Sequence, residues 1–313
     1  MTAIPQEFNL IARHFRPLAA PGGLDLLDDA ALLTPPEGRT LVLTADAMVA
    51  TVHFLETDPP DLVARKLLRV NLSDLAAMGA TPLAYLTTIS APKNTTDAWF
   101  AAFASGLAQD QSTFGIQLLG GDTTHTPGPL TLTLTAIGHV APGAAIRRTG
   151  AQPGDEIWVT GTIGDGALGL LAAQGRLADP GNHLATRYRL PQPRLNLLTP
   201  TLVHAAMDIS DGLLQDLAHL ARAANLGAEI HADLVPLSPN ATAANRLDLC
   251  LTGGDDYELL MAVPPGKGPA LQRAATTANT TATKIGHFTQ TPGVRLLRDG
   301  KEWTLPTQGW SHF

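Results

Sequence analysis

Aspartates beside small residues recur along this chain, and they are its richest source of chemistry. The clusters are Asp28-Asp29, Thr44-Ala45-Asp46, Asn71-Leu72-Ser73-Asp74, Gly120-Gly121-Asp122, Asp208-Ile209-Ser210-Asp211 and Gly253-Gly254-Asp255-Asp256. Any one alone reads as a helix cap or turn, because Asp and Ser satisfy free backbone N–H groups there. The set asks for more, since only 16 % of the residues are charged. Asn71 and Asp74 share a helix face, set among Leu72, Leu75 and Met78. A carboxylate in that setting needs a positive partner, and few Lys or Arg stand nearby in sequence. Oxygen ligands without His or Cys clusters select hard cations, Mg²⁺ above all. Mg²⁺ uses one or two carboxylates plus phosphate oxygens, so scattered aspartates point to several ions on a polyphosphate. That is nucleotide chemistry.

Other signals are weaker. Gly266-Lys267-Gly268 lacks the spacing and the Ser/Thr of a Walker motif. Gly164-Asp165-Gly166-Ala167-Leu168-Gly169 is a literal G-x-G-x-x-G after a strand and opening a helix, so a nicotinamide-dependent oxidoreductase is a rival reading. Against it stand the Asp inside the motif and its mid-chain position; the glycines read as close helix–strand packing. Arg147 and Arg148 suit phosphate oxygens, or a solvated linker equally well. His53, alone after an apolar turn, reads as packed or surface. Cys250 reads as a buried small hydrophobe.

The elements that must position these residues alternate strand and helix. Strands are expected at Leu41–Asp46 running into an acidic loop, Thr81–Ile89, Ile116–Leu119 ending in Gly120-Gly121-Asp122, Leu130–Val140, Glu156–Thr160 and Tyr257–Val263. Helices are expected from Asp58 to Gly79, over Asp97–Gln111, Gly166–Gln174, Leu195–Ala205 and Leu213–Ala224, with Leu177–Pro193 irregular. The aperiodic, Gly- and Pro-rich stretch Gly143–Gly154 is the expected boundary, giving domains 1–148 and 149–313.

The chain has 313 residues, 44 % hydrophobic, and a formal charge of −7. Its length suits two domains of roughly 150 residues each. The acidic balance argues against nucleic acid and anionic membranes as partners. One cysteine excludes an intrachain disulfide and a Cys-rich zinc site, which suits a reducing cytoplasm. The start lacks a signal-peptide pattern, and no apolar run reaches the roughly 18 residues of a membrane helix.

The runs LVLTADAMVATVHF, RKLLRVNLSDLAAMGATP, GGDTT, GDEIWVTG, MDISDGLLQDL, GGDDYELL and the closing GWSHF, in this order, resemble the thiamine-monophosphate kinase family. The resemblance implies an α/β (α+β) two-domain fold like that of aminoimidazole-ribonucleotide synthetase, with the N-terminal sheet forming the interface of a homodimer. It implies ATP- and Mg²⁺-dependent phosphorylation of thiamine monophosphate to thiamine diphosphate. By motif, Asp29, Thr44, Ala45 (through its backbone), Asp46, Asp74, Asp122, Asp208 and Asp211 would hold metal ions. Gly121, Asp122, Arg148 and Ser210 would contact ATP. His53, Asp255 and the position of Thr307 would face thiamine monophosphate. The chain departs from the family at Leu27 for Gly, Ala45 for a hydroxyl residue, Asp255 for Glu and Thr307 for an aromatic, leaving Trp303 or Trp310 to stack on the thiamine rings.

The acceptor implied is a phosphate monoester with a second pKa of about 6. It is anionic near neutral pH, so transfer needs no general base and no covalent enzyme intermediate. Repulsion between two anions is the obstacle, and Asp46, Asp74 and Asp122 are expected to hold the central ions that relieve it, with Asp208 and Asp211 holding ions on the phosphates. Another ATP-dependent enzyme of the same fold is the nearer alternative.

Overall fold

The computed structural model describes residues 6–307, 309 and 310. They form two compact units, one of residues up to 75 with 81–143, the other of 76–80 with residues from 144 on.

The first unit opens with α1 (Gln6–Leu10) and short helical turns, then runs β1 (Thr40–Val49), α2 (Pro60–Ala77), β2 (Thr81–Ala91), α3 (Asp97–Phe114), β3 (Gln117–His125) and β4 (Thr131–Val140). The strands form one sheet in the order β1-β4-β2-β3, with only β2 and β3 parallel. Alternation in β4 sends Leu132, Leu134 and Ala136 into the core, while Thr131, Thr133 and Thr135 take the other face. That other face carries Leu43 and Leu86, 62 % and 38 % exposed. Against the core face, Leu75 of α2 packs at Gly138 of β4. Arg69 and Arg65 of α2 bond the buried Asp110 of α3 at 2.6 and 3.0 Å, so the charges that this packing buries are paired. Thr96 caps α3 through the Trp99 N–H, and Gly115 ends it in the left-handed region.

Two acidic motifs lie within strands, where the sequence suggested strand ends. β1 continues past Asp46 to Val49, and β3 continues through Gly120-Gly121-Asp122 to His125. Gly121 permits this, because a Cβ there would overlap the Thr87 carbonyl oxygen of β2.

The second unit contains β5 (Glu156–Thr160), α4 (Asp165–Ala173), α5 (His183–Arg189), β6 (Ala205–Asp208), α6 (Leu213–Ala223), β7 (Gly227–His231), α7 (Pro239–Ala244), α8 (Leu247–Thr252), β8 (Leu259–Val263), α9 (Gly268–Thr277), β9 (Ala282–Thr289), β10 (Gly293–Arg298) and β11 (Lys301–Glu302). Its sheet has the order β11-β10-β7-β9-β5-β8-β6, antiparallel except for β10 with β7. One face is buried throughout and the other mainly at β5, β8 and β6, while β9 and β10 show the exposed Lys284 and Arg295 on it. Ile157 and Val159 of β5 join the α6 leucines in one core, while Trp158 joins Met261, Leu271 and Ala275 in another.

Two expectations fail here. The supposedly irregular stretch 177–193 contains α5, and 195–204 is not helical. In the latter, Pro200 and a left-handed Asn196 (φ 60°) break the helical run. Leu197, Leu198 and Val203 are buried there by packing on the second core, so their spacing reflects burial and not a helix.

Candidate functional site

β1 and α2 bring the first acidic pair together. The Thr44 hydroxyl donates to Asp74 Oδ2 at 2.5 Å. Asp46 is raised to about 6, chiefly by burial and then by the charge of Asp74. Two carboxylates therefore repel each other beneath a hydroxyl, an arrangement that a cation would relieve. Asn71, one turn before Asp74, is fully buried; its Nδ2 donates to the Leu67 carbonyl, and its Oδ1 has no hydrogen-bond partner. The donor set is all oxygen and fits Mg²⁺. Ala45 is exposed between the two.

A cavity of about 620 Å³ gathers a second group, with Asp28, Asp29, Gly121 and Asp122 among its lining and Phe15, Leu26, Leu86 and Ile137 as apolar wall. This volume falls in the range of small-molecule sites, roughly 300–1,000 Å³. The segment before Asp28 passes through three successive left-handed residues, Leu24, Asp25 and Leu26 (φ 51°, 57° and 55°). Each costs on the order of 1–2 kcal/mol; such strain collects at ligand clamps.

The two groups are separate. Asp46 aligns with Leu134, Leu134 with Thr87 and Thr87 with Gly121, three strand spacings or roughly 14 Å. Asp122 is one residue further on and thus on the opposite face of the sheet. Among the described residues no three or more His, Cys, Asp and Glu gather into a metal cage.

In the second unit Asp208 ends β6, 4 % exposed, and the chain turns into α6. The turn is shaped by Asp216, whose Oδ2 accepts the N–H groups of Ser210, Asp211 and Gly212 at 3.0, 3.0 and 3.2 Å. Burial pushes the Asp216 carboxyl up to about 7 despite these bonds. Ser210 and Asp211 are left half-buried. The Trp310 N–H bonds the Asp211 carbonyl at 2.9 Å, which brings the chain's last described residue to this turn. The half-buried Asp255 is laid against the same turn, its N–H donating to the Ser210 carbonyl at 2.9 Å.

The chain matches the family model for AIR synthase related protein, N-terminal domain, over residues 27–140, and the corresponding C-terminal domain over 152–299. The thiamine-monophosphate kinase of Caulobacter vibrioides is 46 % identical over 323 residues, spanning 99 % of this chain and 92 % of that protein. The chain belongs to the thiamine-monophosphate kinase family. A crystal structure of the kinase from Stenotrophomonas maltophilia K279a has a TM-score of 0.81 and 40 % identity, covering 89 % of this chain and 91 % of that one. A second solved relative, AaThiL complexed with AMPPCP and TMP, has a TM-score of 0.78 and 28 % identity over 96 % and 98 % of the two chains. The expected α/β two-domain fold is the one observed.

As a thiamine-monophosphate kinase family chain it places the remaining motif residues as follows. His53 Nδ1 accepts the Val49 N–H at 3.0 Å, which puts the ring proton on Nε2, and buried Lys66 bonds the His53 carbonyl at 3.0 Å. Arg148 is exposed at the start of a helical turn, 148–150. Thr307 is exposed. Trp303 packs on the larger core under the Arg298 guanidinium, 4.9 Å from its ring centroid. Leu27 is 71 % exposed. Ser311, His312 and Phe313 of the closing motif lie outside the described residues.

The glycine fingerprint has a ligand of its own. The Gly164 and Gly166 N–H groups, where a pyrophosphate would bind in a dinucleotide site, donate to Asp256 Oδ2 and Oδ1 at 2.7 and 3.0 Å. The glycines serve packing and not a cofactor, but the expected helix–strand contact is not what they make: Gly164 lies on Cys250 of α8, Gly166 on the Asp255 backbone and Gly169 on Leu184 of α5. Residues that sequence reasoning missed are Asp216, Asp256, and Glu258 with its two arginines. The only signal was adjacency: Asp256 follows Asp255, and nothing in the spacing says which of the two faces inward.

Proposed function

We propose that this chain transfers the γ-phosphoryl group of ATP to the phosphate of thiamine monophosphate, giving ADP and thiamine diphosphate. The observation that carries the reading is the Asp46–Asp74 pair under the Thr44 hydroxyl, in a chain that matches thiamine-monophosphate kinases over its length. The solved relative complexed with AMPPCP and TMP supports both substrates.

Asp46, Asp74, Thr44 and the Ala45 backbone would hold Mg²⁺ on the first unit. Asp29 and Asp122 would hold further ions at the cavity, and Asp208 and Asp211 others on the second unit. When bound, Mg²⁺ neutralises phosphate charge in the transition state. The chain's own groups do the rest. On the first unit Gly121 would admit a phosphate close to the backbone and Asp122 would face it; on the second unit Ser210 and Arg148 would donate to nucleotide oxygens. His53, through Nε2–H, would be the acceptor contact of the first unit, and Asp255 that of the second. The acceptor's attacking oxygen is already anionic near neutral pH, so no side chain has to remove a proton, and catalysis rests on alignment and charge neutralisation. For the thiamine rings Trp310 is the better stacker: it is 54 % exposed and tied to the Asp211 turn, whereas Trp303 is committed to the core. Thr307 offers no ring.

The domains serving these roles would be 1–148 and 149–313. The open sheet face bearing Leu43 and Leu86 suits burial in a homodimer. A cytoplasmic place fits the buried free thiol of Cys250, and among the described residues no helix is long and apolar enough to cross a membrane. The acidic charge disfavours nucleic acid as a partner.

The test is product formation. Purified protein with ATP, Mg²⁺ and thiamine monophosphate is expected to yield thiamine diphosphate and ADP in equal amounts, and nothing without metal. ATP binding without thiamine diphosphate would overturn the reading in favour of another ATP-dependent reaction on this fold.

A further inference from the structure

Asp256 is 1 % exposed and has no part in the chemistry above. Its two carboxyl oxygens accept the amides at the start of α4. On either side of it the backbone is left-handed at residues with side chains, Asp255 (φ 70°) and Tyr257 (φ 51°). Such conformations persist only where the surroundings over-determine them, and the surroundings here are explicit. The Asp255 N–H bonds the Ser210 carbonyl at 2.9 Å, the Tyr257 N–H bonds the Ile209 carbonyl at 2.8 Å, and the Ile209 N–H returns to the Glu258 carbonyl at 2.8 Å. Gly254 lies so close that a Cβ would overlap the Ser210 carbonyl oxygen. Arg187 Nη2 donates both to the Asp256 carbonyl at 3.2 Å and to Glu258 Oε1 at 2.9 Å. Glu258 is itself fully buried and also takes Arg194 Nε at 2.7 Å and the Thr160 hydroxyl at 2.6 Å. The loop of Asp255 and the turn of Ser210 are thereby joined backbone to backbone, and Asp256, between Asp255 and Tyr257, is tied to the start of α4.

We propose that Asp256, seated on the first amides of α4 and backed by Arg187, is a positioning residue that holds Asp255 in its left-handed conformation against the Ser210–Asp211 turn and so sets the place of the phosphate acceptor relative to the nucleotide. This rests on the reading of Asp255 as an acceptor contact. A G-x-G-x-x-G loop thus binds an internal carboxyl group in place of a cofactor and uses it to fix a substrate loop.

The test compares steady-state kinetics of the full chain with Asp255→Ala, Asp256→Asn and the double variant. Asparagine keeps the shape but turns an N–H toward one of the two amides. Asp256→Asn is expected to raise KM for thiamine monophosphate about tenfold and to leave KM for ATP within about twofold. The double variant is expected to be no worse than Asp255→Ala alone, because both changes act through one contact. Unchanged KM values with only the folded fraction reduced, or effects that multiply in the double variant, would overturn the positioning role and leave the kinase reading intact. Asp255→Ala with a wild-type KM would overturn the acceptor-contact reading and the proposal together. If Asp256→Asn does not fold, Arg187→Met, which frees the Asp256 carbonyl but leaves Arg194 on Glu258, is compared in the same way and with the same outcomes.

Discussion

At the scale of single residues, the acidic pair is where charge matters most. Asp74 raises the Asp46 carboxyl by proximity, on top of burial, so Asp74→Asn is expected to bring Asp46 down from about 6 toward the ordinary carboxylate range. Carbon-13 NMR titration of the side-chain carboxyls reads this directly. The same variant removes a proposed Mg²⁺ ligand and is expected to lower turnover at least about a hundredfold with an unchanged melting temperature. Full activity would remove the pair from the mechanism. The two C-terminal tryptophans separate by the same logic of environment. Trp310→Ala is expected to raise KM for thiamine monophosphate with little change in stability. Trp303→Ala strips a ring from the core and from under Arg298, and is expected to cost roughly 2 kcal/mol in denaturant unfolding while leaving KM unchanged.

At the scale of elements, the turn between β6 and α6 depends on one acceptor. Asp216 gathers three N–H groups, those of Ser210, Asp211 and Gly212. Asp216→Ala leaves them unsatisfied, which costs on the order of 2 kcal/mol or more and frees the turn that carries Ser210 and Asp211. The expected signature is a weaker ATP affinity by calorimetry together with a lower unfolding midpoint; loss of stability with unchanged ATP affinity would limit Asp216 to the fold. The periodicity of the chain did anticipate α6, whose leucines fall on one face, and it anticipated β5 to the residue. It misread 195–204 because leucines packed by an irregular chain leave the same spacing as a helix, and only Asn196 and Pro200 break the run.

At the scale of the whole molecule, two buried acids tie stability to pH. Burial raises Asp216 to about 7 and Asp256 to about 8 from an ordinary value of 3.8. Both hold their protons more tightly folded than unfolded, so unfolding releases protons between about pH 4 and pH 8. Their contribution is full below about pH 4 and is lost as pH rises through about 7 and about 8. Melting temperature is therefore expected to fall from about pH 5.5 to about pH 8.5, and the slope to be shallower in Asp256→Asn. A flat profile in the wild type would contradict the burial of these carboxyls as neutral groups. The open face of the first sheet gives the other prediction at this scale. Leu43→Glu is expected to convert a dimer into a folded monomer in light scattering after gel filtration; a monomeric wild type would exclude the homodimer.

The amino-acid sequence by itself determined the residue types of the site, because Asp beside Gly, Ser and Asn is legible without coordinates and the absence of cysteine and histidine clusters already selects oxygen chemistry. It also determined the alternation of strands and helices, since period-2 and period-3.6 burial are local properties. Which aspartates meet was decided only by tertiary structure. Strand register put Asp122 on the opposite face of the sheet from Asp46 and three strands away, while the packing of α2 brought Asp74 to Asp46 across 28 residues of chain. The inward turn of Asp256 onto Gly164 and Gly166, about 90 residues earlier, was equally beyond reach. Contacts of that separation depend on register and packing between elements, and a one-residue shift in register reverses every side chain without changing the pattern a sequence displays.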